Sequence, residues 1–166
     1  MKAKVFCRHD GQLVVLSASA LRVMKGYRQI RRKNAEACGA ILGRHLVDGS
    51  AIIIDEITEP MPGDQRSRNR CFRSRDHHVA VQRRWEESQH TCAYLGLWHT
   101  HPESTPQPST IDHEDWRRAM ASGTFFGEWL HFFIIGTSAI SAWAGTIDGM
   151  ILPMKDTTEE NRNGES

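Results

Sequence analysis

The alternation of apolar and polar positions predicts short strands separated by amphipathic helices. Apolar runs typical of strands occupy 3–16, 37–57, 91–99, 130–138 and 140–147. Each of the first two runs is interrupted by an Asp-Gly pair, which favours a tight turn, so both predict β-hairpins.

Helical periodicity and N-capping residues predict three helices between these strands. They cover approximately 17–32, beginning at Ser17 or Ser19, then 76–88, and then 109–121, beginning at Ser109 or Thr110. Residues 58–75 are rich in Pro, Gly and Arg and predict a polar loop. Residues 155–166 are too polar to pack and predict a disordered tail after a single domain at 1–154.

Composition indicates an ordinary globular protein without a strong preference for nucleic acid or membrane. The chain has 166 residues, 39% hydrophobic and 25% charged, with a formal net charge of +1. No apolar run approaches the ~20 residues of a membrane span, and the amino terminus lacks a signal-peptide core, so we expect a cytoplasmic protein. The four cysteines form no C-x-x-C pair, and we expect them to be reduced thiols.

The stretch "GLWHTHPESTPQPSTID", residues 96–112, carries the strongest chemical signal. Because side chains alternate along a strand, Leu95, Leu97, His99 and His101 should share one face. Two imidazoles would then emerge together where an apolar strand ends. Zinc favours such nitrogen ligands, and a catalytic zinc keeps three protein ligands plus water. His99 and His101 would supply two of these ligands.

Asp112 is the candidate for the third ligand, on the first turn of the following helix. Ser109-x-x-Asp112 also matches a capping box, in which both side chains satisfy free backbone groups at a helix start. A lone H-x-H pair is likewise more often structural than metal-binding. Their combination through a stiff proline-rich loop favours metal, because such a loop brings a helix start beside a strand end.

These residues resemble the JAMM signature of the JAB/MPN metalloproteases. H-T-H-P, a proline-containing spacer and P-S-x-x-D match the motif, and Glu36 in "EACGAILG" matches its upstream glutamate. The resemblance spans roughly residues 12–147. It implies a single α+β domain in which helices flank a curved, mostly antiparallel β-sheet, consistent with the predicted element order.

The same resemblance implies a role for each motif residue. His99, His101 and Asp112 would bind one zinc ion per chain, Glu36 would be the general acid/base, and Ser109 would help to hold the oxyanion. From the residues alone, Glu36 could equally be an exposed acid at a helix end. Ser109 could serve as a helix cap, an oxyanion donor or both.

Within this family, the compact size and the "DW" after the motif resemble bacterial deconjugases of CBASS antiphage operons. This resemblance implies a zinc isopeptidase that releases a cyclic-nucleotide-synthesising enzyme of the CD-NTase type from its conjugates. Its partners would be that enzyme, joined through an extended carboxyl-terminal segment, and an operon-encoded ubiquitin-transfer-like enzyme. The alternatives are a peptidase for another ubiquitin-like modifier and a noncatalytic MPN scaffold.

Other functional classes fit the sequence less well. The DNA-repair-associated subfamily carries H-N-H-P-S-G where this chain has H-T-H-P-E-S, and a nucleoside deaminase would need H-x-E with P-C-x-x-C. Five arginines between Arg66 and Arg75 could be a solvated loop or a site for an acidic partner. His113 is expected to be a solvated helix residue rather than a support for the metal ligands.

Overall fold

The structure is a computed structural model that describes residues 1–123, 125 and 127–162, within which the chain forms a β-barrel, a small hairpin and four helices. The strands are β1 (Lys4–Cys7), β2 (Leu13–Leu16), β3 (Cys38–His45), β4 (Ala51–Ile57), β5 (Gln65–Ser67), β6 (Arg70–Phe72), β7 (Ala93–Thr100), β8 (Trp129–Ile135), β9 (Ile140–Thr146) and β10 (Ile151–Asp156). The helices are α1 (Ala18–Gly26), α2 (Arg75–Glu87), α3 (Thr110–Ala121) and α4 (Thr158–Arg162). The expectation of one mixed α and β domain is confirmed.

Eight strands close into a barrel in the order β1-β10-β9-β8-β7-β3-β4-β2. The β2–β4 and β7–β8 pairs are parallel, and the other pairs are antiparallel. The sheet is therefore mostly antiparallel, as expected, but it is closed and not merely curved. Closure depends on β1 and β10, which pair Phe6 with Asp156 and which the sequence pattern did not connect.

Two apolar clusters hold α1 and α3 against the barrel. The larger includes Leu21 and Met24 of α1 and strand residues such as Trp98, all less than 2% exposed. The smaller lies under α3, where Trp116 stacks on Phe132 of β8 with ring centroids 4.7 Å apart. This packing fixes the start of α3 beside the end of β7.

A β-bulge in β7 corrects the predicted alternation. The ladder between β3 and β7 pairs Ile41 with Gly96 and then Leu42 with Tyr94, so Leu95 has no partner residue. Leu95 consequently joins the larger apolar cluster while Leu97 joins the smaller one, and the two do not share a face. Gly96 has φ +143°, and a Cβ there would lie 1.8 Å from a carbonyl oxygen of β8, so glycine is required.

Three boundaries differ from the sequence-based expectation. The first helix ends at Gly26 instead of Arg32, since the chain turns away to bury the side chain of Gln29. The 58–75 loop contains the β5–β6 hairpin. The residues after 154, expected to form a disordered tail, instead continue β10 to Asp156 and then form α4, because barrel closure gives them partners on β1. Residues 163–166 of the expected tail lie outside the described residues.

The segment before this hairpin is held by the buried carboxylate of Asp64. It accepts hydrogen bonds from the backbone N–H groups of Met61 and Ser74, at 2.9 and 2.8 Å, and contacts His77 Nε2 at 2.8 Å. Burial alone would raise the pKa of Asp64, but these hydrogen bonds lower it to about 2. Within the described ranges, no helix is long and apolar enough to cross a membrane.

Candidate metal centre

The two histidines lie at the end of β7, a buried strand between β3 and β8. His99 pairs with Cys38 on one side and Ile134 on the other, and His101 follows the strand directly. Both are buried, and their Nε2 atoms are 3.1 Å apart. The strand thus presents two imidazole nitrogens to one point in space.

Asp112 reaches the same point from the first turn of α3. Its Oδ1 is 3.1 Å from His99 Nε2, and its Oδ2 is 3.2 Å from His101 Nε2. The capping box is also present: Ser109 N donates to Asp112 Oδ2 at 2.7 Å, and Asp112 N donates to Ser109 Oγ at 3.2 Å. The two interpretations of Asp112 are therefore compatible, because the cap orients the carboxylate toward the histidines.

This donor set fits a tetrahedral zinc ion. Bonds of about 2.0–2.1 Å require ligand atoms roughly 3.3–3.4 Å apart along a tetrahedral edge. The Nε2 atoms of His99 and His101 are 3.1 Å apart, close to that requirement, and each lies 3.1–3.2 Å from a different oxygen of the Asp112 carboxylate. Burial alone would raise the pKa of Asp112, but hydrogen bonds from His101 and His99 hold it well below its usual range. The carboxylate is therefore ionised, as a metal ligand must be.

Glu36 completes a buried group of four residues whose ligand atoms lie within 4.8 Å of one another. It lies two residues before the start of β3, and its backbone is fixed: its N–H donates to Ser67 O at 2.8 Å, and its carbonyl accepts from Arg66 Nε at 2.8 Å. Burial raises the pKa of Glu36 to about 8. Burial thus makes this carboxyl group hold a proton more readily than an exposed glutamate does, a property suited to proton transfer.

Two residues that flank this group have distinct contacts. Ser109 Oγ accepts the hydrogen bond from Asp112 N, and among the described residues it donates to none, so its proton is available to a bound oxygen. Glu103, which sequence reasoning did not single out, accepts from His101 Nδ1 at 2.9 Å and orients that ring. The sequence did carry a signal for Glu103, because it is the acidic residue that directly follows H-T-H-P. His113 lies apart, with its ring edge-on to Trp116, and is half-buried instead of solvated.

Glu36, His99 and Asp112 line a cleft of about 160 Å³ between the β5–β6 hairpin and α3. The exposed apolar side chains of Phe72 and Ile111 line it from the two sides. Arg73 Nη2 donates to both carboxylate oxygens of Asp115, at 2.7 and 2.8 Å, and so links the hairpin end to α3.

A disulfide between Cys38 and Cys71 joins the hairpin to β3 and corrects the expectation of four reduced thiols. The sequence could not show this pairing, because it forms only when the 58–75 segment folds back across β3. Cys7 and Cys92 are free. The disulfide also removes Cys38 and Cys71 as ligands from the second possible metal group, which they form with Asp64.

The arginines of the hairpin divide into two groups. Arg66 donates to Glu36 O, and Arg68 donates to Arg31 O at 2.6 Å, so both hold the hairpin in place. Arg70 is exposed and lines the cleft, so it retains the possible role toward an acidic partner.

Comparison with known proteins defines the class to which this fold and site correspond. Residues 22–145 match the family described as prokaryotic homologs of the JAB domain, and the chain belongs to that family. A solution structure of a Desulfitobacterium hafniense protein has the same fold, with a TM-score of 0.58 at 20% identity over 83% of this chain and 87% of that one.

More specific similarity is to proteins named CD-NTase/cGAS isopeptidase. The Vibrio cholerae serotype O1 protein is 37% identical over 71% of this chain and 75% of its own length. The Pseudomonas aeruginosa protein is 37% identical over 66% of this chain and 68% of its own length, and the Escherichia coli protein is 35% identical over 64% and 67%.

Proposed function

We propose that this chain is a zinc-dependent isopeptidase that hydrolyses the bond between the carboxyl terminus of a CD-NTase-type protein and its target, in bacterial antiphage defence. The observation that carries the proposal is the convergence of two imidazoles and a carboxylate at 3.1–3.2 Å, with the buried Glu36 beside them. The names of the relatives support the substrate class.

In this mechanism, one zinc ion held by His99, His101 and Asp112 would supply Lewis acidity toward water and the scissile carbonyl. Glu36 takes the proton from the attacking water and returns it to the leaving amine, so the C–N bond breaks without net change in protonation of the enzyme. The Ser109 hydroxyl donates to the carbonyl oxygen as negative charge develops there.

The narrow cleft supports an extended substrate segment. β6 borders the cleft, and among the described strands only β5 pairs with it, so its second edge can hydrogen-bond to a substrate backbone. We expect proline substitutions in the last residues of the conjugated protein to block cleavage more than changes on its globular surface.

An operon-encoded ubiquitin-transfer-like enzyme would form the conjugate. The cytoplasmic setting stays a prediction, testable by fractionating cells.

The experiment compares zinc content and conjugate cleavage in two carboxylate variants. Asp112→Ala leaves two imidazoles and should lose zinc, whereas Glu36→Gln keeps three ligands and should retain it while losing at least ~100-fold in kcat. Glu36→Gln should still bind the conjugate. Glu114→Gln, an exposed carboxylate in the same helix, is the matched control and should change neither property. Zinc lost from the Glu36 variant but kept by the Asp112 variant would refute both assignments.

A further inference from the structure

We infer that Gln29 is a positioning residue, whose buried carboxamide sets the placement of Glu36 and of the β5–β6 hairpin relative to the histidine pair. This inference rests on the proposed function. Gln29 lies beyond the end of α1, is 1% exposed and does not line the cleft. It therefore cannot touch a substrate or metal, and any effect on the reaction must pass through its hydrogen-bond partners.

All three polar positions of the carboxamide are engaged. Gln29 Nε2 donates to Arg68 O at 2.7 Å and to Asn34 O at 3.3 Å, and its Oε1 accepts from Thr100 Oγ1 at 3.0 Å. A buried amide is costly unless it is hydrogen-bonded, and here each bond reaches a different segment. The segments are the approach to Glu36, the hairpin turn and the end of β7.

Thr100 carries this connection into the site. It lies between His99 and His101 and is fully buried. Its Oγ1 accepts from Ala37 N at 2.9 Å while donating to Gln29, and its own N–H donates to Ala37 O at 2.9 Å. The residue after Glu36 is thus bonded twice to the residue between the two histidines.

The hairpin closes the same network. Glu36 N donates to Ser67 O, one residue before the Arg68 carbonyl that Gln29 holds. A carboxamide is suited to this point because it offers two donors and one acceptor in one plane. An apolar side chain would leave the Arg68 carbonyl without its Gln29 donor and the Thr100 hydroxyl proton without an acceptor, and Asn34 O would keep only its bond from Arg68 Nη1. A carboxylate would have no donor for the carbonyls.

The expected consequence of removing the carboxamide is a misplaced general base with an intact metal site. Small displacements of catalytic groups by substitutions away from the chemistry can cost on the order of 100-fold in rate. Gln29→Met and Thr100→Val should therefore each lower kcat about 10–100-fold with one zinc retained per chain. KM for the conjugate should stay within about threefold in Thr100→Val, which keeps the bond from Gln29 to the hairpin, and should rise further in Gln29→Met, which loses it. Thr100→Ser keeps the hydroxyl and should restore most of the rate.

Two controls separate positioning from loss of stability. Val14→Ala removes apolar contacts in β2, which does not pair with β3 or β7, and should destabilise the fold without lowering kcat. In the Glu36→Gln background, Gln29→Met should cause little further loss in single-turnover cleavage, because the base that it positions is already absent. If Gln29→Met instead lowers the single-turnover rate by the same factor in the Glu36→Gln background as in wild type, the inference is overturned.

The outcomes also distinguish this inference from the proposed function. Zinc-loaded wild-type protein that fails to cleave the conjugate would refute the proposed function. Cleavage that is abolished by Glu36→Gln but unchanged by Gln29→Met and Thr100→Val would refute only the inference. If Gln29→Met does not fold, comparing Thr100→Val with Thr100→Ser tests the same connection from the β7 side. Equal cleavage rates in these two variants would refute the inference.

Discussion

The Cys38–Cys71 disulfide should make a large contribution to the stability of the domain. The perturbation is its reduction in the wild-type protein, or its removal in a Cys38→Ala, Cys71→Ala variant. The bond spans 33 positions in sequence. In the chain-entropy description, closing a loop of this length lowers the conformational entropy of the unfolded chain, which raises the free energy of unfolding by about 3.7 kcal/mol.

The assay is thermal unfolding of oxidised and reduced protein at a fixed zinc concentration, because a ligand of the folded state adds to apparent stability. For a domain of this size, about 3–4 kcal/mol corresponds to a fall in Tm of roughly 7–15 °C. A Cys7→Ala variant keeps the disulfide and should show the same difference on reduction. A difference in Tm of less than about 2 °C would refute the reasoning.

Thiol counting tests whether the bond forms. Burial raises the pKa of Cys92 to about 11, so only the half-buried Cys7 should react rapidly in native protein. Without reductant, the unfolded protein should expose two thiols, and after reduction four. Four thiols in unfolded protein that has never been reduced would contradict the structure.

Three further outcomes are expected. The depressed pKa of Asp64 contributes stability that is present above pH ~4 and is lost as the pH falls toward ~2. The free energies of unfolding of wild type and Asp64→Asn should therefore differ by up to about 2 kcal/mol above pH 4, and the difference should disappear as the pH falls toward 2. Gly96→Ala should cost at least about 3 kcal/mol in urea unfolding, whereas Gly26→Ala, which meets open space, should be neutral or stabilising. Arg70→Ser should raise KM for the conjugate in a salt-dependent manner, with Arg75→Ser unchanged.

The residues of the candidate centre could be predicted where chemistry follows local spacing. His99 and His101 are two positions apart at a strand end, and Asp112 begins the next helix, so periodicity and capping rules indicated that they could meet. Glu36 lies 63 positions before His99, and no local rule connects them. Only the resemblance to a family motif indicated this residue.

The remaining features depend on packing that a single sequence does not encode locally. The bulge at Leu95 follows from how β3 and β7 fit together, and it reverses the alternation expected upstream of the histidines. The helix ends at Gly26, before the buried Gln29, although the sequence predicted a helix to about Arg32. Ile30 is instead 61% exposed, which shows that periodicity alone did not set the boundary.

The pairing of β1 with β10 has a consequence for shortening or rearranging the chain. A protein cut after residue 154, the expected domain boundary, would lose the partners of Phe6 and Cys7 and the bond from Thr157 N to Val5 O. β1 would then present unpaired backbone groups along one side, a template for association with other copies. Such a truncated form should aggregate even though the candidate metal ligands His99, His101 and Asp112 are all present, whereas a circular permutant that keeps both strands should stay monodisperse.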